Sequence, residues 1–279
     1  MARWDWYQGT IHGLDVDEVA AGLSRRLRGQ VVPGRGMNGY SHGAEVQVQG
    51  EQVCTIWWGG NPGVHVKATG ERSPAVAQAL RDLGQHEVTR ADACEDFVEP
   101  GLFDRLSRYF LDFAIAQGIK VNQVGDWHRG EARTLYLGSK ASPVRLVMYE
   151  KGYQVGGDPD WVRLEVRVRP KGSGRELVSR WVPGQAFGAS RWLSDMLAGI
   201  GWDHLVAQSV GTVWRPKDAE RARQALARQY GPTLLEWAAE LGSWSEVGQA
   251  LGELLGAQRE DIPEAHQAST ASARPCIEV

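Results

Sequence analysis

From Ala44 to Gln49 apolar and polar residues alternate, Gly50-Glu51 supplies a turn, and Gln52 to Trp58 returns with a similar pattern, which predicts a β-hairpin. Val64 to Thr69 and Val88 to Asp96 read as two further strands. Between them Ser73 is expected to cap a helix through Leu83, with Pro74 at its first position. Leu102, Phe103, Leu106, Phe110 and Phe113 recur at helical spacing within Pro100 to Gln117, and Gly118 closes that helix. Strands follow at Arg133 to Leu137, Val144 to Glu150 and Trp161 to Arg169. Beyond Pro170 the period changes: Ala189 to Gly199, Lys217 to Gln229, Pro232 to Leu241 and Ser243 to Leu255 all predict helices. No repeat of fixed period is evident. The pattern predicts an α+β protein, a mainly antiparallel sheet with helices on one face and a helical C-terminal region. Residues 1–40 read as an N-terminal segment, 41–188 as the catalytic domain, 189–256 as the helical region and 257–279 as a disordered tail.

Strand alternation also sorts the charged residues. In Trp161-Val-Arg-Leu-Glu-Val-Arg-Val-Arg169 one face carries Val162, Leu164, Val166 and Val168, and the other carries Arg163, Glu165, Arg167 and Arg169. Val144 to Lys151 places Arg145, Tyr149 and Lys151 opposite Leu146 and Met148. Val88 to Asp96 groups Arg90, Asp92, Cys94 and Asp96. If these strands are neighbours, carboxylates, guanidinium groups and a tyrosine gather on one sheet surface.

Composition narrows the setting. No stretch approaches the roughly 18 consecutive apolar residues that a bilayer span needs, the first residues lack the features of a secretory signal, and three scattered cysteines, Cys54, Cys94 and Cys276, suggest neither a disulfide framework nor a zinc site. A cytoplasmic protein without a membrane partner is expected. The net charge of −3 argues against indiscriminate coating of nucleic acid. Basic residues nevertheless outnumber acidic ones from Arg129 to Arg180, and a local basic face can bind phosphates whatever the total.

The polar set has a chemical reading. A phenol of pKa about 10 is a weak nucleophile at neutral pH. A hard divalent cation held by carboxylates, Mg2+ or Mn2+, would make a bound phosphate more electrophilic, and arginines would hold the backbone. Tyrosine attack on a DNA phosphodiester exchanges one phosphoester for another, so the nick can be resealed, and it releases a 3′-hydroxyl that a polymerase can extend.

Val88-Thr-Arg-Ala-Asp92, Thr134-Leu-Tyr-Leu-Gly-Ser139, Arg145-Leu-Val-Met-Tyr-Glu-Lys-Gly152 and Trp161-Val-Arg-Leu-Glu165, preceded by Gly63-Val-His-Val-Lys-Ala-Thr-Gly70, together resemble the replication initiation factors of rolling-circle plasmids and filamentous phages, the Rep_trans family. The resemblance spans roughly residues 40 to 230. It implies a covalent link between Tyr149 and the 5′-phosphate at a replication origin. It also implies metal ligation by Asp92 and Glu165, and origin DNA, a host helicase and a polymerase as partners; apart from the resemblance, Asp96 on the same strand face and His65 are further metal candidates. A homodimer is compatible with it. The chain departs from the family at Met148, where a β-branched or aromatic residue is expected, and at Lys67, where an acidic residue is frequent.

Arg145, Lys151 and Arg163 are the expected catalytic companions of Tyr149, and Arg90, Arg145, Lys151, Arg163, Arg167 and Arg169 the expected DNA contacts. Each has a plainer reading. Tyr149 reads also as a strand tyrosine with its hydroxyl in water, with Tyr136 and Tyr153 as rivals. Glu165 reads as half of a cross-strand ion pair, Asp96 as the start of a turn, and His65, lacking a second histidine, as a hydrogen-bonded strand residue. Gly34-Arg-Gly-Met-Asn-Gly39 matches a dinucleotide fingerprint in letter, but no helix is predicted after it, and it reads as a loop. Among twelve tryptophans, Trp57, Trp58 and Trp127 are candidates to stack on bases, and Arg221, Arg223 and Arg228 to track phosphates. Two other functions fit the same residues: a non-catalytic DNA-binding regulator of replication or transcription, and a mobilisation relaxase with the same chemistry.

Overall fold

In a computed structural model, which describes residues 1–202, 204–211 and 218–260, ten strands form one antiparallel sheet. They are β1 (Arg3–Ile11), β2 (Gln30–Arg35), β3 (His42–Val48), β4 (Glu51–Trp58), β5 (Val64–Thr69), β6 (His86–Val98), β7 (Val121–Asp126), β8 (Glu131–Leu137), β9 (Val144–Glu150) and β10 (Trp161–Val168). Their order across the sheet is β2-β3-β4-β5-β1-β6-β10-β9-β8-β7. The α+β expectation holds. Helices α1 (Val16–Leu27), α2 (Ser73–Leu83), α3 (Leu102–Ala116), α5 (Gly174–Ser179) and α6 (Arg191–Ala198) share one hydrophobic cluster with the sheet's apolar side, where Val162, Leu164, Val166 and Val168 are all fully buried. The short α4 (Lys151–Val155) directly follows β9.

The chain divides into two compact units, Met1–Val213 and Trp214–Val279. None of the three expected boundaries coincides with this division. Residues 1–40 are no separate segment: β1 sits at the middle of the sheet between β5 and β6, with Trp4 and Tyr7 in the core. The sequence around α5 and α6 belongs to the first unit, because Val178, Leu193, Met196 and Leu197 complete its core. In the second unit α7 (Asp218–Leu241) runs through Pro232, where two helices were expected, and Gly242, at φ 86°, turns the chain into α8 (Trp244–Glu260). The first four residues of the tail expected over 257–279 belong to α8; its remainder from 261 onward, with Cys276, lies outside the described residues, as do the side chains of Arg221 and Arg228; Arg223 is exposed.

Three of the elements that escaped the sequence pattern did so for identifiable reasons. β1 carries register shifts between Trp4 and Trp6 and between Gln8 and Gly9, which break two-residue alternation and leave its inward residues unevenly spaced. β2 and β7 are the sheet's edges and mostly exposed, so neither shows an apolar face; β2 also absorbs the first residues of the glycine-rich loop. α1 did carry a signal, since Asp15 and Glu18 form a reciprocal capping box. Ser73, expected as a cap, lies inside α2, its buried hydroxyl without a partner, and Arg72 takes the cap position.

The strand order reveals an internal duplication that no sequence period announces. β1-α1-β2-β3-β4-β5 followed by α2, and β6-α3-β7-β8-β9-β10 followed by α5, traverse the sheet in the same order outward from the β1/β6 seam. A pseudo-twofold axis through the paired Trp6 and Asp92 relates the halves. The registers agree: Trp57 pairs with His65 and His65 with Thr10 in the first half, as Tyr149 pairs with Arg163 and Arg163 with Asp96 in the second.

Candidate active site

The face of the sheet opposite the helices carries the expected polar residues. On β10, Arg163, Glu165 and Arg167 point to it; Arg163 faces Tyr149 and Asp96 across its two neighbours, and Arg167 faces Arg145 and Asp92. A pocket of about 480 Å3 opens there, lined among others by Asp5, Arg90, Asp92, Tyr136, Tyr149, Lys151, Glu165 and Arg167. The tyrosine and two carboxylates expected to meet therefore do meet.

Tyr149 is half-buried, and its hydroxyl donates to Glu165 Oε2 at 3.5 Å, the outer limit of a hydrogen bond. Burial pushes its phenol above the usual value and the charge of Glu165 adds to this, while Arg163 opposes them. Asp92 is nearly inaccessible, at 1% exposure. Burial raises its carboxyl to about 6; Arg90 pulls it down and Glu165 pushes it up again. Arg90 grips Asp92 through Nε at 3.0 Å, and Arg167 Nε bonds Glu165 Oε1 at 2.6 Å while standing 3.9 Å from Asp92.

Several expected roles need correction. Arg163 is not free for phosphate: it is 5% exposed, its Nε bonds Asp96 at 2.6 Å, and Nη1 reaches Asp5 at 3.1 Å. Asp96 is consumed by the same pairing and by Arg3 Nη2 at 2.7 Å. Burial raises the Asp96 carboxyl, but Arg163 and Arg3 outweigh it and hold it at about 2. It is a structural partner, neither metal ligand nor turn residue. His65 lies two strands from Asp92, on the other side of the axis, its Nδ1 bonded to Thr10 Oγ1 at 2.8 Å and its ring stacked between Tyr40 and Trp57. Burial, then Lys67, lowers it to about 4. It does not join the carboxylates. Trp57 is buried, Trp58 stacks on His42, and Trp127 packs on Phe103, so none of these three presents a free ring.

Arg145 is the reverse case. It is buried, its guanidinium carbon stands 4.0 Å from the Tyr136 ring centroid, its Nε has no partner, and no carboxylate lies within ion-pair distance among the described residues. Burial and the neighbouring Arg167 both lower its basicity. Arg169 is half-buried and is disfavoured by burial and by Arg90. Arg90, Arg145, Arg167 and Arg169 thus bring four cations around two carboxylates, a surplus that a phosphate would balance. Lys151 begins α4, lines the pocket and bonds Gln154 at 2.8 Å. Tyr153 is exposed on α4 but also lines the pocket.

Asp5 was missed by sequence reasoning. It occupies the bulge of β1 and reaches both Arg163 and the pocket, a position invisible to a strict alternation rule.

Metal ligation at this site needs oxygen donors. Among the described residues no three His, Cys, Asp or Glu side chains converge as a cation cage. Asp92 and Glu165 are close enough that the charge of Glu165 disfavours the ionised form of Asp92. Two carboxylates fit the Mg2+ or Mn2+ pattern in which water and substrate phosphate complete the shell.

No family model and no curated protein matches the chain. Among solved structures, a rolling circle replication initiator protein from Geobacillus stearothermophilus is similar, with a TM-score of 0.48 and 20% identity over 79% of this chain and 90% of that one. Among the described residues no helix is long and apolar enough to cross a membrane.

Proposed function

We propose that the protein nicks and rejoins one strand of origin DNA with Tyr149 as nucleophile, in the manner of a rolling-circle replication initiator. The single observation that carries this is the convergence of the Tyr149 hydroxyl, Glu165, Asp92 and the Arg90 and Arg167 guanidinium groups on one open pocket.

In the forward step the Tyr149 oxygen attacks the phosphorus, the bond from phosphorus to the 3′-oxygen breaks, and the departing oxygen takes a proton from solvent to become the 3′-hydroxyl. The 5′-phosphate stays esterified to Tyr149. Glu165 Oε2 is placed to receive the phenolic proton. Arg167, and Arg145 beside Tyr136, hold the non-bridging oxygens, and Arg90 keeps Asp92 oriented. Attack by a 3′-hydroxyl on the phosphotyrosine reverses the bond changes and reseals the strand. Asp92 and Glu165 would hold a divalent cation, which when bound draws charge from the phosphate.

Host helicase and polymerase partners and a homodimer belong to this reading, and a mobilisation relaxase shares its chemistry. The unpaired Arg145 and the hydroxyl aimed at Glu165 favour a working site over a regulator that only binds. Incubation with single-stranded origin DNA and Mn2+, followed by denaturing electrophoresis, tests it. A covalent protein-DNA adduct that disappears in Tyr149→Phe is expected; no adduct with the native chain, or an undiminished one in the variant, overturns the reading.

A further inference from the structure

The pseudo-twofold axis allows the two halves to be compared position by position. Asp92 on β6 corresponds to Trp6 on β1, Glu165 on β10 to Lys67 on β5, and Tyr149 on β9 to Trp57 on β4. Where the second half sets two carboxylates and a phenol, the first sets a cation and two indoles. The exchange is coherent. It removes both acids and sets a cation beside the half-buried Trp6, a pair of groups that can take a phosphate and a base.

The geometry fits that use. Lys67 Nζ stands 5.2 Å from the Trp6 ring centroid and 5.4 Å from that of Trp57, with no carboxylate within ion-pair distance among the described residues. The Arg90 guanidinium lies 3.9 Å from the Trp6 centroid. Trp6 is only half-buried and forms part of the wall of the tyrosine pocket, with its Nε1 tied to Gln8 at 2.9 Å. Behind Lys67 the floor is closed and uncharged: Trp57 Nε1 is satisfied by the Arg35 carbonyl at 3.1 Å, and neutral His65 is sealed beneath Tyr40. The one acid of β3 on this face, Glu45, is engaged by Gln47. From Trp57 through Lys67, Trp6, Arg90 and Arg167 to Tyr136, cations and aromatic rings therefore follow one another over six strand-to-strand steps, roughly 29 Å.

We infer that the first half is a converted copy of the nicking half, and that Trp6 and Lys67 hold an unpaired nucleic-acid strand on its way to or from Tyr149. A base stacks on Trp6 and a backbone phosphate sits on Lys67. This extends the reading of the tyrosine site, yet binding without scission tests it separately.

The experiment is fluorescence anisotropy with a short labelled oligothymidylate that carries no origin sequence. Trp6→Leu should weaken binding about tenfold, and Trp6→Phe, which keeps a ring, should restore most of it. Lys67→Gln should make the salt dependence shallower by about 0.7 in the log-log slope, and Lys67→Glu should bind more weakly still. Circular dichroism should show each variant folded. Native affinity in both Trp6→Leu and Lys67→Glu overturns the inference, as does displacement of the labelled strand by blunt duplex as readily as by unlabelled oligothymidylate. A chain that binds as expected but forms no adduct at Tyr149 keeps this inference and loses the nicking one.

Discussion

The Tyr149 hydroxyl points at Glu165 Oε2, 3.5 Å away, on the neighbouring strand and one alternation step along it. One carboxylate therefore both makes the phenolate harder to form and offers the nearest acceptor for its proton. Replacing Glu165 by Gln separates the two effects. The Tyr149 phenol should titrate at lower pH, read as the difference in ultraviolet absorbance between Glu165→Gln and Glu165→Gln/Tyr149→Phe. Single-turnover strand cleavage should nevertheless fall by about a hundredfold or more. Unchanged cleavage would remove Glu165 from the chemistry.

Asp92 and Asp96, four residues apart on β6, should bend the stability curve in opposite directions. The Asp92 carboxyl sits at about 6, above its ordinary value. The unfolded chain releases that proton first, so this group costs stability increasingly as pH rises from about 4 through 6. Asp92→Asn should flatten that limb in thermal unfolding and abolish the Mn2+-dependent adduct, while leaving the protein at least as stable at pH 7.

Asp96 is held at about 2, below its ordinary value. Its contribution is fully present above the usual carboxylate range and is lost as pH falls through about 2. Asp96→Ala also strands the buried Arg163 with Asp5 alone, so unfolding in urea should show a loss of about 3 kcal/mol. Changing Arg163 to Met in the same chain should recover part of it.

Arg145 predicts an anion effect. Inorganic phosphate should raise the melting temperature of the native chain, about 2–4 °C for each kcal/mol of binding free energy gained. Arg145→Leu should lose that increment without starting from a lower melting temperature, because it removes a buried cation that has no acidic partner and faces Arg167. An undiminished phosphate effect in the variant would place the anion elsewhere.

The residues that sequence placed correctly share one property: their position follows from a single strand. Alternation along Trp161 to Val168 is regular, so Glu165 and Arg167 had to share a face while Leu164 and Val166 turned into the core. The same rule put Tyr149 and Arg145 together on β9 and Asp92 with Arg90 on β6. Which of these strands lie side by side is not a property of any one of them.

That pairing decided the rest. Arg163 and Arg145 look alike in sequence, basic residues on alternating strands, yet one is consumed by Asp96 and Asp5 and the other is left with an aromatic ring and a second arginine. Asp5 entered the site because a bulge in β1 turns it there, and His65 stayed out because β1 and the axis stand between it and Asp92. Local periodicity determined the elements and the faces of the inner strands; only tertiary structure decided which charges meet, because hydrogen-bonded neighbours in this sheet come from segments as far apart as Asp5 and Arg163, and side-chain period says nothing about such distant partners.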